Sequence, residues 1–148
     1  MLTKSFVGTL DFGDPSMDRG ACFAKGSDMQ LHHVAVIVSD LDRSALFYEQ
    51  LLGLEREPRS DLGFPGLFYG LGNGQQLHLM QIEDPCDGYL KPEHGGRDHH
   101  FALAVDSLDR FVEKLEQADV TYTMSRSGRA ALFCRDPDGN AIEIIQQL

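Results

Sequence analysis

The sequence predicts an α+β fold of two tandem βαβββ modules, and three observations carry that reading. Residues 31–43 (LHHVAVIVSDLDR) and 98–110 (DHHFALAVDSLDR) coincide at a shift of 67, which matches His32 with His99, His33 with His100 and Ala35 with Ala102. In each copy an apolar strand runs into a helical stripe that an Asp or Ser can cap. A further match at a shift of 65 aligns Phe68 with Phe133, Gly74 with Gly139 and Gln81 with Gln146. The duplication therefore covers almost all of residues 30–147, and the two-residue difference falls in loops.

The elements follow in order. Residues 30–38 form a strand whose apolar run suits cover on both faces. Asp40 is the expected N-cap of a helix carrying Leu41, Ala45, Leu46, Tyr48, Leu51 and Leu52, and Gly53 ends it. Residues 54–58 read as a short strand. Residues 66–71 and 75–82 are strands joined by Gly72-Asn73-Gly74, a hairpin signal because Asn and Gly tolerate positive φ. The second module repeats this: a strand over 99–105, a helix capped by Asp106 or Ser107 and carrying Leu108, Phe111, Val112 and Leu115, then strands over 120–124, 130–134 and 141–145. Asp136-Pro137-Asp138-Gly139-Asn140 forms its hairpin loop. The expected plan is a poorly structured tail over 1–28 and one domain over 29–148. Within that domain, module one spans 29–82, a connector spans 83–98 and module two spans 99–148. The tail scatters Gly, Asp, Ser and Pro without a period. The connector is long and polar, with Pro85, Gly88, Pro92, Gly95 and Gly96, and reads either as a lid or as a plain linker.

Bulk properties narrow the function classes. At 148 residues the chain fits one domain with a real core. A net charge of −10 argues against a nucleic-acid partner and against docking on anionic lipid. No apolar run approaches the roughly 18 residues of a membrane span, and the N-terminus lacks a signal-peptide core. Cys22, Cys86 and Cys134 have no CxxC spacing, so the reading is reduced thiols in a cytoplasmic protein.

The histidines point to a metal. Side chains two apart on a strand share a face, so His33, Ala35 and Ile37 point one way and His100, Ala102 and Ala104 take the equivalent face. The large residues Val34, Val36, Phe101 and Leu103 lie opposite and suit helix packing, and His32 and His99 fall on that side too. On the last strand of each module His78 (LHL) matches Glu143 (IEI), and both are ionisable residues between apolar neighbours. Three imidazoles and a carboxylate make a mixed nitrogen and oxygen set for one divalent ion such as Zn²⁺, Ni²⁺, Mn²⁺ or Fe²⁺. His94, in the connector, reads as a loop residue.

Several stretches together resemble the vicinal-oxygen-chelate superfamily of glyoxalase I, fosfomycin-resistance proteins, extradiol dioxygenases and bleomycin-binding proteins. They are His33-Val-Ala-Val-Ile-Val-Ser-Asp40, Phe47-Tyr48, Leu52-Gly53-Leu54, His100-Phe-Ala-Leu-Ala-Val-Asp106, Asp136-Pro-Asp-Gly-Asn140 and Ile142-Glu143-Ile144. The resemblance implies paired βαβββ modules forming a curved mixed sheet around a metal cup, often as a homodimer that binds a small molecule. It places metal ligands at His33, His100 and Glu143, and at His78 in the glyoxalase-like branch, where Glu is the expected residue. It implies lyase or isomerase chemistry of the glyoxalase I (lactoylglutathione lyase) kind, in which the metal holds two substrate oxygens and stabilises an enediolate. Glu143 is the leading base there, and His78 is a ligand or acid/base group. An extradiol dioxygenase would instead use His33, His100 and Glu143 as a two-His-one-carboxylate iron site. A fosfomycin-type transferase would need a cationic pocket, for which Arg97, Arg126 and Arg129 are available. Arg97 and Arg129 are the substrate-binding candidates in either case, although 125–129 also reads as an exposed loop. A bleomycin-type binding module is the remaining class.

Overall fold

The computed structural model describes residues 30–147, so the expectation for a tail over 1–28 lies outside the described residues. Module one comprises β1 (His33–Ile37), α1 (Leu41–Ala45), β2 (Glu55–Glu57), β3 (Gly66–Gly72) and β4 (Gln75–Met80). Module two comprises β5 (His100–Val105), α2 (Leu108–Gln117), β6 (Tyr122–Met124), β7 (Ala131–Arg135) and β8 (Ala141–Gln146). The repeat is realised as two four-stranded sheets, ordered β1-β4-β3-β2 and β5-β8-β7-β6. In each, the first strand pairs parallel with the last and the other pairs are antiparallel. Each module thus forms its own four-stranded mixed sheet, as the reading of two tandem βαβββ modules expects.

Local chemistry accounts for the element ends. Asp40 is extended, and its carboxylate accepts from Arg43 N at 2.9 Å, starting α1 as expected. The helix then widens into a π-helical segment over Leu46–Leu51, where an uninterrupted α-helix was expected. Phe47 and Tyr48, adjacent in sequence, are both buried there; the segment ends with Leu52 N on Phe47 O at 3.0 Å. Gly53 terminates it at φ +79°. The start of α2 is capped differently. Ser107 occupies the N-cap without a side-chain bond, and Gln146 Oε1 on β8 accepts from Leu108 N at 2.9 Å. Asn73 and Gly74 both take positive φ, 50° and 74°, as a tight hairpin requires.

The core gathers Tyr48, Tyr69, Leu77, Leu79, Leu115, Leu132, Ile142 and Ile144. Val34, Val36, Phe101, Leu103 and Val105 pack against it, so the large residues of β1 and β5 face inward as the alternation predicts. His78 and Glu143 each stand between two fully buried aliphatic residues and project to the other face.

The β7–β8 loop ties the modules together. Buried Asp136 accepts from Tyr48 OH at 2.8 Å, Asp138 N at 3.0 Å, Asn140 N at 2.8 Å and Asn140 Nδ2 at 2.8 Å. The Asn140 amide also donates to Ile37 O at the end of β1, at 2.9 Å. Ser39 Oγ at 2.6 Å and Arg43 Nη2 at 2.9 Å converge on Asp138 Oδ1. Burial pushes the Asp136 carboxyl up, and its hydrogen bonds to Asn140 and Tyr48 pull it back. Burial first, then the neighbouring Asp136, drives the Tyr48 phenol far above its ordinary range, so it remains a neutral donor. Asp136→Ala strands several buried donors and is expected to cost about 3 kcal/mol or more. Tyr48→Phe removes one bond and is expected to cost about 1–2 kcal/mol. Urea unfolding midpoints at unchanged m-value check both. An Asp136→Ala midpoint equal to wild type would show that this loop does not hold the first helix.

Candidate metal centre

In module one the candidate ligands form a stack. His78 lies beside Ala35 of β1 in the parallel register and opposite Phe68 of β3. The His33 and His78 rings stack with centroids 4.4 Å apart and planes 13° apart. Phe68 covers the His78 ring at 3.5 Å. The Arg59 guanidinium lies over Phe68 at 5.6 Å and over Phe64 at 5.0 Å. Burial, followed by the neighbouring His33, His32 and Arg59, holds the His78 imidazole below its ordinary pKa. It is therefore neutral near pH 7, as a metal ligand must be. His78 Nε2 faces Gln76 Oε1 at 2.9 Å.

Module two builds a different pair from the same template. His100 Nδ1 donates to Asp98 O at 2.8 Å, which leaves the Nε2 lone pair free. That nitrogen stands 3.7 Å from Glu143 Oε2. Glu143 is 5% exposed and pairs across the sheet with Phe133, as His78 does with Phe68. Phe133 meets the His100 ring edge-on at 5.2 Å. Arg129, from the loop before β7, reaches Glu143 Oε1 at 3.3 Å and bonds Ser127 Oγ through Nε at 3.1 Å.

The structure brings together His33 with His78, and His100 with Glu143. It does not gather the four: among the described residues, no three His, Cys, Asp or Glu side chains form a group able to hold a metal. The donor chemistry of each pair nevertheless fits a divalent ion. Imidazoles with one nitrogen committed to the protein and the other free, beside a buried carboxylate, are a borderline nitrogen and oxygen set. Arg129 touches the site, whereas Arg97 is exposed in a single 3₁₀ turn, Gly95–Arg97, and Arg126 is exposed in its loop.

Two expectations change. His32 and His99 do not face the helices. His99 precedes β5 with a fully exposed side chain, and His32 Nδ1 lies 2.9 Å from His33 Nδ1. The strand alternation was extended one residue past the strand ends. The connector is also more than a plain linker. Arg135 holds Asp98 Oδ2 at 2.8 Å and Pro92 O at 2.6 Å, and Lys91 holds Asp138 O at 2.7 Å. His94 caps the 3₁₀ turn by accepting from Gly96 N at 3.0 Å, and its ring lies 5.2 Å from Phe133. Sequence reasoning missed Arg59, Phe68 and Gln76 as neighbours of His78. Gln76 lies two residues before it on β4, Phe68 opposite it on β3, and Arg59 in the loop between β2 and β3, where no strand pattern places it.

A family model described as Glyoxalase/Bleomycin resistance protein/Dioxygenase superfamily matches residues 30–144. The human mitochondrial methylmalonyl-CoA epimerase is 32% identical over 129 residues, covering 79% of this chain and 73% of that protein. The glutathione transferase FosA of Serratia marcescens is 30% identical over 116 residues, covering 77% of this chain and 78% of that protein. Among solved structures, the trypanothione-dependent glyoxalase I of Leishmania major superposes with a TM-score of 0.62 at 27% identity, covering 80% of this chain and 86% of that one. With its repeated βαβββ modules and its match over residues 30–144, this chain belongs to the Glyoxalase/Bleomycin resistance protein/Dioxygenase superfamily.

Proposed function

We propose that the chain is a divalent-metal-dependent enzyme that moves a proton at a carbon beside a carbonyl, in the manner of a glyoxalase I-like lyase or isomerase. The observation that carries this reading is the pair of repeat-related half-sites, His33 with His78 and His100 with Glu143, each with donor atoms left open. Similarity to an epimerase and to a glyoxalase I supports it. When bound, a Zn²⁺, Ni²⁺, Mn²⁺ or Fe²⁺ ion polarises substrate oxygens and acidifies the neighbouring C–H. Glu143 accepts the proton: it is a buried carboxylate beside the His100 imidazole and close to Arg129. His78 serves as a ligand of the ion. Arg129, and Arg97 from the connector, meet the oxygens of a small substrate, with Ala35 and Ala102 leaving room on the strands between.

Because one chain holds the ligands as two separate pairs, we read the functional unit as a homodimer in which module one of one copy faces module two of the other. The exposed Cys86 and buried Cys134, both free, fit a reducing cytoplasmic setting.

Three measurements test this reading. With Ni²⁺ or Zn²⁺ loaded, turnover of a thiol–methylglyoxal adduct is expected, and Glu143→Gln should lower kcat by about 100-fold or more. Oxygen uptake with Fe²⁺ and a catechol, in the absence of that turnover, would replace it with the dioxygenase reading. For the shared site, His33→Ala and Glu143→Ala chains should each bind no ion tightly, whereas an equimolar reassociated mixture should recover about a quarter of the wild-type stoichiometry. No recovery means that the site closes within one chain. The third is a pH signature of His78. As pH falls from about 6.5, the unfolded chain takes up the proton on this imidazole before the folded chain does. Its contribution to stability is therefore present above that pH and lost as pH falls through the lower folded value. An NMR midpoint for the metal-free His78 ring at or above about 6.5 would contradict this.

A further inference from the structure

A chain of hydrogen bonds crosses the open face of the first sheet and ends on His78. Glu57 on β2 accepts from Gln76 Nε2 on β4 through Oε2. Gln76 Oε1 then lies 2.9 Å from His78 Nε2. The direction of the chain is fixed at its carboxylate end. A carboxylate only accepts, so the amide must turn its NH₂ toward Glu57 and its oxygen toward the imidazole. Nε2 of His78 then carries the hydrogen, and Nδ1 keeps the lone pair.

Gly70 on β3 marks the path of this chain. It pairs with Gln76 on one side and with Glu55 on the other. A Cβ there would overlap Glu57 Oε1 and crowd the rest of that carboxylate. Gly70 is not among the glycines with positive φ, so what a side chain there would disturb is not the backbone but the placement of the Glu57 carboxylate, which would have to move aside. A glycine inside a strand is otherwise a loss of stability, and here it lets Glu57 lie across β3 to reach Gln76.

We propose that Glu57 and Gln76 are positioning residues that hold His78 as its Nε2–H tautomer, leaving Nδ1 as the one atom it offers to a metal. The tautomer stands on the hydrogen bonds alone; the metal-binding consequence rests on the function proposed above. The arrangement follows the general pattern in which a metal-ligating imidazole is oriented through its other nitrogen.

The test uses long-range ¹H–¹⁵N correlation spectra of the full, metal-free chain, with His78 assigned by comparison with His78→Gln. Wild type is expected to show the Nε2–H pattern. Gln76→Leu and Glu57→Ala should give a mixture of tautomers, and Gly70→Ala should behave like Glu57→Ala. Glu57→Gln keeps an acceptor for the amide and should restore the wild-type pattern. In parallel, Zn²⁺ affinity should fall by about 10–100-fold in Gln76→Leu and Glu57→Ala and recover in Glu57→Gln. An Nδ1–H pattern in wild type, or an unchanged pattern in Gln76→Leu, overturns the proposal. If wild type shows the Nε2–H pattern but binds no Zn²⁺, the metal reading fails and the tautomer assignment stands. If wild type binds Zn²⁺ and neither variant weakens it, the positioning role fails while the metal reading survives.

Discussion

The buried Asp136 carboxylate is the contact on which the arrangement of the two modules depends. A carboxylate removed from water without partners costs several kcal/mol, and its acceptance of four hydrogen bonds offsets that cost. Three of the donors hold its own loop in shape, and the fourth, Tyr48, belongs to the other module. Through Asn140 the same loop also holds the end of β1 at Ile37. The strand that carries His33 is thus fixed by a residue of the module that carries Glu143. The tie is one-sided, because at the repeat shift of 65 module one offers Leu71 where module two offers Asp136. A duplicated scaffold therefore uses an unduplicated polar contact to set its own geometry.

With that geometry fixed, the two sheets present similar rows with different contents. One runs Ala35, His78, Phe68, Glu57 and the other runs Ala102, Glu143, Phe133, Thr123. The phenylalanines match in register but not in contact: Phe68 stacks on the His78 ring, whereas Phe133 meets the rings of His100 and His94. The ionisable groups differ. His78 sits in a column of rings, where burial first and then His33, His32 and Arg59 hold its pKa down, whereas Glu143 sits beside an imidazole and within reach of an arginine. A neutral donor and an anionic one are what a single divalent ion draws from two sides.

Much of this was legible in the sequence, because it depends on local periodicity. Alternation on β1, β4, β5 and β8 placed His33, His78, His100 and Glu143 on the open face, and the Asp40 cap and the Asn73-Gly74 turn follow from residue chemistry. The π-helical segment was not legible: it lies around Tyr48, whose hydroxyl partner is 88 residues away. Nor was Glu57, since its role depends on the β2–β3–β4 register and on a missing side chain at Gly70. The separation of the ligands into two pairs is a property of how whole sheets sit, which no strand pattern records. His99 shows the opposite error: a period-two pattern was continued beyond the first residue of β5, where no neighbouring strand enforces it.

The rows also explain why the hydrogen-bonded chain to His78 has no copy in module two. An imidazole has two nitrogens and needs a partner to decide which one is free, whereas a carboxylate presents two equivalent oxygens. At Glu143 there is no tautomer to choose, and the place of Gln76 is taken by Ala141 and that of Gly70 by Arg135. The imidazole of module two that does need orienting is His100, and Arg135 serves it. Its guanidinium holds the Asp98 carboxylate at 2.8 Å, and the carbonyl of the same Asp98 receives His100 Nδ1–H at 2.8 Å. Each module thus spends one cross-strand position on fixing an imidazole, His78 through Glu57 and Gln76, His100 through Arg135 and Asp98. The chain divergence that made the ligands unequal extends to their supports. Exchanging His78 for Glu would therefore leave Gln76 presenting its amide oxygen to a second carboxylate, so the relay and the imidazole are matched to each other.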